Sequence, residues 1–456
     1  MKPIRYTFAF VVSRLTIIAL RILGRNGTHF PGVVAMRLCP DFVKHLPQPK
    51  KLIAITGTNG KTTVTNLVSD VLRNAGYTLS NNAMGSNIQE GIIVTAILAS
   101  SFFGNKSVVD VVVLEVDERI SPRIYPYLKP DILIVTNLFR DSYRRNAHVE
   151  FIQMMLEQAI PSHTKLVVNA DDPISSFICP GNSRVSFSLK ALEDEEQIKD
   201  SRIVDLIYCP KCQSELVYDF QRYHHIGQVH CPNCDFKSMK SDLEAVVINQ
   251  KLSVQNKDQN LSFDVLGDNP TDHYNLLASI ALFNVLGFDL KAIQTELNKL
   301  KIVKTRFDQV EIKGKQITIM MTKDQNPIAT SRIFDYIRHQ SDRKSALILI
   351  NENSEHHTLS ENNAWYYDTD FEYLNKPHVL QIIGGGHRIL DLKVKIALTG
   401  IPLDRYQASW SELDTAKLVD LNVVDAIYIL NGTKNIPEAK LIRKHLIERI
   451  EAEVQA

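Results

Sequence analysis

Residues 52–62 read Leu-Ile-Ala-Ile-Thr-Gly-Thr-Asn-Gly-Lys-Thr: an apolar run, a glycine turn, then a lysine and a threonine. Val64, Leu67, Val68, Val71, Leu72 and Ala75 follow at helical spacing, and Gly76 marks a stop. Strand, glycine turn and helix in that order build a phosphate cradle, because turn N–H groups and a helix N-terminus both face anionic oxygens. Thr56, Gly57, Thr58, Asn59 and Gly60 would wrap the phosphates of a nucleotide. Lys61 would reach the β- and γ-phosphates, and the Thr62 hydroxyl would sit on Mg²⁺. The stretch is shorter than a full P-loop, since Ile55 stands where that motif has its first glycine.

Outward from the cradle, apolar runs at 108–116, 132–135 and 166–168 alternate with helical patterns, as expected of a parallel sheet covered on both faces. A second series, 346–350, 379–383 and 424–430, predicts another α/β unit. The expected organisation is an N-terminal helical segment over 1–48, an ATP-binding unit over 49–300 and a Rossmann-like unit over 301–456. With 456 residues, 44% hydrophobic, 23% charged and a net charge of +1, the composition is that of a soluble multidomain protein without the basic excess of a nucleic-acid binder. The apolar stretch 8–23 is interrupted by Arg14 and Arg21. It reads as an amphipathic helix packed on the protein, and leaves a peripheral contact with the inner membrane face open.

Residues 205–238 break the α/β pattern. Cys209-Pro-Lys-Cys212 and Cys231-Pro-Asn-Cys234 have the spacing of a zinc ribbon, and four thiolates fill a tetrahedral shell, so the zinc would be structural. His224, His225 and His230 are potential substitute ligands, but are read as hairpin-surface residues. Unpaired cysteines around a metal suit a reducing, cytoplasmic setting.

The run 108–116 ends in Glu115, followed by Asp117 and Glu118. Carboxylates at the carboxyl end of a parallel strand beside a phosphate cradle are placed to hold Mg²⁺, with Glu115 the first choice. Asn137 and the turn Asn169-Ala170-Asp171-Asp172-Pro173 fall on the same edge, and Tyr274-Asn275 opens a helix that meets either adenine or the sheet.

Together, T-G-T-N-G-K-T at 56–62, L-E-V-D-E at 114–118, T-N-L-F-R-D at 136–141 and N-A-D-D-P at 169–173 resemble the Mur ligases, from which the four-cysteine insertion sets the chain apart. W-Y-Y-D-T-D-F-E at 365–372 and G-H-R-I-L-D-L at 386–392 narrow the likeness to the MurT family, the Mur-ligase-like subunits of bacterial lipid II isoglutaminyl synthase. The resemblance implies a Mur central domain carrying the zinc ribbon and a C-terminal Mur-like domain that contacts a GatD-type glutaminase. It implies ATP-dependent amidation of the D-glutamate α-carboxylate in lipid II. By the same likeness Asp368, with Asp370 as runner-up, would complete a Cys-His pair of the glutaminase, and Asn275, Arg306 and Lys323 would contact the nucleotide or its phosphates. The chain departs from the family at 142–148, at Asp272 and over 352–367, where Tyr367 replaces a tryptophan. Two alternatives stay open: an amino-acid-adding Mur ligase, and a nucleotide-binding scaffold without catalysis. Against the first, about fifty residues precede the cradle, too few for the UDP-binding domain of those enzymes.

Overall fold

The computed structural model describes the chain apart from residues 1–2, 84–85, 141–147, 192–200, 257–258, 266, 268, 301–306, 323–325, 342, 351–363, 433–434 and 453–456. Two compact units are formed. The first opens with α1 (Ile4–Ile22) and α2 (Phe30–Leu38). Then come β1 (Leu52–Thr56), α3 (Lys61–Asn74), β2 (Leu79–Asn81), α4 (Gln89–Leu98), β3 (Val111–Glu115), α5 (Ser121–Ile124), β4 (Ile132–Val135), α6 (Val149–Ala159), β5 (Lys165–Asn169) and β6 (Arg184–Leu189). A hairpin of β7 (Val217–Tyr223) and β8 (Ile226–His230) interrupts the series before β9 (Leu243–Ile248), β10 (Lys251–Asn256), β11 (Gln259–Asp264), α7 (Pro270–Val285) and α8 (Leu290–Lys299).

The nine-stranded sheet runs β11-β10-β9-β6-β5-β4-β1-β3-β2. Every pairing from β2 to β9 is parallel. Parallel neighbours need crossovers, and the helices that supply them bury both faces, which is why β1, β3 and β4 are apolar nearly end to end. Strand order reverses at β1: β2 and β3 lie on one side, β4 onward on the other. Ligands of open α/β sheets bind outside the carboxyl ends of the strands at such a reversal. The register Ile55–Glu115 and Thr56–Val135 brings the ends of β1, β3 and β4 level there.

The far edge departs from the parallel expectation. β9, β10 and β11 pair antiparallel, and β9 turns into β10 through Asn249-Gln250, both at positive φ (49° and 58°). A two-residue connection can only join antiparallel strands.

The second unit contains β12 (Phe307–Ile312), β13 (Lys315–Met321), α9 (Pro327–Arg338), β14 (Ser345–Ile350), α10 (Ala364–Asp368), β15 (Val379–Gly385), α11 (Ile389–Leu398), β16 (Tyr406–Ser409), α12 (Thr415–Leu418), β17 (Ala426–Asn431) and α13 (Ile436–Ala452). Its sheet runs β12-β13-β17-β14-β15-β16, parallel except for the β12–β13 hairpin. One core, with Phe334, Trp365, Tyr366 and Phe371, lies on one face; the other, with Ile427, Ile442 and Leu446, lies under α13.

Candidate active site

The turn between β1 and α3 is shaped by two glycines at positive φ, Gly57 (124°) and Gly60 (88°). A Cβ on Gly57 would lie 2.8 Å from the Asn137 carbonyl, and one on Gly60 would collide with the Asn275 carboxamide, so neither position admits a side chain. The turn is held from behind. Asn59 N–H donates to Asn137 Oδ1 (3.0 Å), Asn137 Nδ2 and Thr136 Oγ1 donate to the Asn59 carbonyl (3.1 and 2.6 Å), and Thr58 N–H donates to the Asn137 carbonyl (2.9 Å). The Thr58 hydroxyl bonds the backbone of Phe139 (2.9 and 3.1 Å), and the Thr56 hydroxyl reaches the Val116 carbonyl (2.9 Å).

Lys61, the first residue of α3, is buried, with its ammonium donating to the Gly57 carbonyl (2.5 Å) and to Glu118 Oε1 (3.2 Å). The same carboxylate oxygen accepts from Gly57 N–H (2.8 Å). One anionic oxygen thus bridges a turn amide and the lysine, which is the binding mode a phosphate oxygen would use. Burial would lower the Lys61 pKa, but Glu118, Glu115 and Asp117 outweigh it and hold the ammonium above its ordinary range. Burial likewise opposes ionisation of Asp117, yet the hydrogen bonds and charge of Arg119 keep it below the usual carboxylate range.

The Thr62 hydroxyl donates to Glu115 Oε2 (2.8 Å), and Asn87 Nδ2 donates to Glu115 Oε1 (3.1 Å). Asn82 clamps the Glu115 backbone through both its amide atoms, each at 2.7 Å. A hydroxyl and an oriented carboxylate side by side are oxygen donors of the kind that Mg²⁺ takes. Asn275 is buried beside Gly60, and its Nδ2 has no hydrogen-bond partner among the described residues. A buried amide donor left unsatisfied at the rim of an anion cradle fits a nucleotide acceptor. Tyr274, by contrast, turns to the sheet: its hydroxyl donates to Asp171 Oδ2 (2.7 Å), inside a buried cluster with Arg222. Arg306 and Lys323 lie outside the described residues, as do 142–147 and 352–363.

The cysteine insertion reaches this site. The four sulfurs of Cys209, Cys212, Cys231 and Cys234 lie within 4.8 Å of one another, with Cys209–Cys234 at 3.5 Å and Cys212–Cys231 at 3.4 Å. Tetrahedral zinc with bonds of about 2.3 Å sets sulfurs about 3.8 Å apart, so the four fit that ion.

From this knuckle the β7–β8 hairpin carries its tip to the sheet edge. His224 and His225 are buried there, contrary to the surface placement read from the sequence. His225 packs on Phe139 (ring centroids 4.5 Å apart) and lies 3.3 Å from Asp172, and Tyr223 stacks on the same phenylalanine. His230 is partly exposed beside Asp219 (3.0 Å). Asp172 in turn accepts from Leu138 N–H (2.8 Å), so the hairpin tip braces the segment that binds Thr58. Nothing in the sequence signalled this long-range contact.

In the second unit the two candidate aspartates differ in setting. Asp370 is buried and engaged: Arg202 N–H and Ser201 Oγ donate to its carboxylate (2.6 and 3.1 Å), while its own N–H donates to Ser331 Oγ (2.9 Å). Asp368 is half-buried at the end of α10, whose Trp365 and Tyr366 stack in the core (4.1 Å) while Tyr367 faces outward. Of the two carboxylates, that of Asp368 is the more exposed.

The fold and the cradle define an ATP-dependent ligase of the Mur type, and comparison with known proteins agrees. Residues 55–283, half of the chain, match the family described as Mur ligase middle domain. The chain belongs to the Mur ligase family. Residues 324–432 match the family described as MurT ligase C-terminal, which places the chain with the MurT subunits inside it. It is 28% identical over 417 residues to the lipid II isoglutaminyl synthase (glutamine-hydrolyzing) subunit MurT of Staphylococcus aureus strain COL, covering 89% of this chain and 92% of that one. To the subunit of the same name from Streptococcus pneumoniae it is 26% identical over 436 residues, 94% of each chain. Among solved structures, a pseudomurein peptide ligase type C from Methanothermus fervidus superposes with a TM-score of 0.65 at 20% identity, covering 89% of this chain and 81% of that one. MurF of Thermotoga maritima in complex with ADP gives 0.53 at 14% identity, covering 93% and 85%. These two likenesses speak for the fold.

Proposed function

We propose that the chain is the ATP-using subunit of a lipid II isoglutaminyl synthase. It converts the α-carboxylate of D-glutamate in lipid II to the amide of D-isoglutamine, with ammonia from a GatD-type glutaminase subunit. A carboxylate resists attack because its leaving group would be an oxide. Transfer of the γ-phosphoryl group of ATP to a carboxylate oxygen gives an acyl phosphate, and ammonia then displaces inorganic phosphate as the C–N bond forms. Lys61 and the turn N–H groups bind and neutralise the phosphates. Thr62 and Glu115 would hold Mg²⁺, which supplies further charge neutralisation when bound. Asn275 would orient the nucleotide, and Asp368 would fix the tautomer and orientation of a histidine on the glutaminase. The four cysteines would hold a structural zinc. The setting is cytoplasmic, at the inner membrane face where a lipid-linked substrate is met.

The observation that carries this reading is the convergence of Lys61, Thr62 and Glu115 around a turn closed to side chains. The test is reconstitution. The purified chain alone should hydrolyse little glutamine and form no amide. With the glutaminase, lipid II, ATP and glutamine it should do both, and Lys61→Ala should lower amide formation by about 10²-fold or more. Full activity of that variant would contradict the assignment of the cradle.

A further inference from the structure

Helix α1 buries one face (Tyr6, Ala9, Phe10, Ser13, Ile17) against its own unit. Its opposite face carries Ile4, Phe8, Leu15, Ile18 and Ile22, each between 45% and 90% exposed. At about 100° per residue these five fall within an arc of about 80°, a continuous apolar stripe along the helix. Arg5 lies on one flank of the stripe, and Arg14 and Arg21 on the other. Next to it, Phe102 and Phe103 are half-exposed on a loop that α1 itself holds: Arg14 donates to the Ser100 and Ser101 carbonyls (both 2.9 Å) and stacks over Phe102 (5.6 Å), and the Tyr6 hydroxyl donates to the Gly104 carbonyl (3.2 Å).

The charge is one-sided. Residues 1–40 contain six lysines or arginines and no acidic residue, in a chain whose net charge is +1, and the adjoining loop 99–108 adds Lys106 and no acid. No described helix is long and apolar enough to cross a membrane. An apolar stripe flanked by arginines, on a helix whose other face is packed, has the character of an in-plane interfacial helix. We infer that α1, with Phe102 and Phe103, docks the protein on an anionic phospholipid surface: the stripe enters the headgroup–acyl boundary, and the exposed Arg21 and Arg25, the latter just past the helix end, meet lipid phosphates. A second copy of the chain is disfavoured as the occupant, because two such faces would bring only like charges together. The inference deepens the proposed function by giving the enzyme a face toward its lipid-linked substrate, but its evidence is independent of the reaction.

The test is co-sedimentation of the full-length chain with vesicles of phosphatidylglycerol and phosphatidylcholine in equal parts, and with phosphatidylcholine alone. Binding is expected to the anionic vesicles, weakened by salt, and much less to the neutral ones. Arg21→Glu with Arg25→Glu should lower partitioning by at least about tenfold. Phe8→Ser with Ile18→Ser should lower it comparably. Both variants should keep the melting temperature and nucleotide binding of the parent, which separates loss of docking from loss of fold. Absence of binding to anionic vesicles, equal binding to neutral ones, or variants that bind as well as the parent would overturn the inference. So would a dimer on sizing that the Phe8 and Ile18 substitutions disperse. A chain that forms amide yet ignores vesicles would sink this inference alone.

Discussion

Glu118 holds the place of a phosphate oxygen, donated to by both the Gly57 amide and the Lys61 ammonium. A nucleotide must exchange that carboxylate for its own oxygens, and Lys61 is kept charged for the exchange by three acidic neighbours. Lys61→Ala should therefore reduce amide formation by about 10²-fold or more, the effect of losing one preorganised donor to developing charge. The aspartates of the second unit offer a sharper comparison. Asp368→Asn should lower partner-dependent glutamine hydrolysis by about two to four orders of magnitude without affecting the melt. Asp370→Asn should instead leave hydrolysis in place, because that carboxylate is turned inward to the Arg202 N–H and the Ser201 hydroxyl. Hydrolysis lost in the second variant and kept in the first would reverse the assignment. At this scale the sequence was legible for Lys61, Thr62 and Glu115, where residue type and spacing carry the chemistry. It was silent on which of Glu115 and Glu118 faces the lysine, because the strand ends between them and alternation no longer applies.

The β7–β8 hairpin links the cysteine knuckle to the loop behind the cradle, through Phe139 and Asp172. Chelation of a metal held by the four cysteines should lower the melting temperature and weaken ATP binding together, measured by calorimetry on the same sample; an unchanged nucleotide affinity would show that the tip stays docked without its knuckle. Burial would raise the Asp172 pKa, but His225 and backbone donors outweigh it and keep it below the ordinary value. A depressed carboxylate contributes stability that is present above about pH 4 and is lost as pH falls through the folded value. Asp172→Asn should thus be less stable at pH 7 and show a shallower acid limb in melts below pH about 5. Arg222→Met should cost about 3–5 kcal/mol by taking the guanidinium from the buried Asp171 and leaving it to neutral donors such as the Tyr274 hydroxyl and the Leu189 N–H. Parallel strands were readable from their apolar runs. The β9–β10 and β12–β13 hairpins were not, because Asn249-Gln250 and Lys313-Gly314 reach positive φ without the usual turn pair at the first. His224 and His225 were misplaced for a related reason: polar residues at a hairpin tip read as solvated until a distant Phe139 covers them.

Over the whole molecule, the order of strands around β1 explains why one edge of one sheet gathers the chemistry. The second unit contributes a half-buried aspartate presented by a helix whose aromatic residues are locked in the core. The apolar runs of the strands are displayed by a single sequence, whereas their order comes from the structure and the choice of Asp368 from the family likeness; the family match extends over each unit. The most direct test of acyl phosphate formation uses the reconstituted complex and lipid II labelled with heavy oxygen in the D-glutamate α-carboxylate. Each amide formed should leave one labelled oxygen in the inorganic phosphate released from ATP. Amide formed while the phosphate stays unlabelled would contradict activation of the carboxylate at the Lys61 cradle.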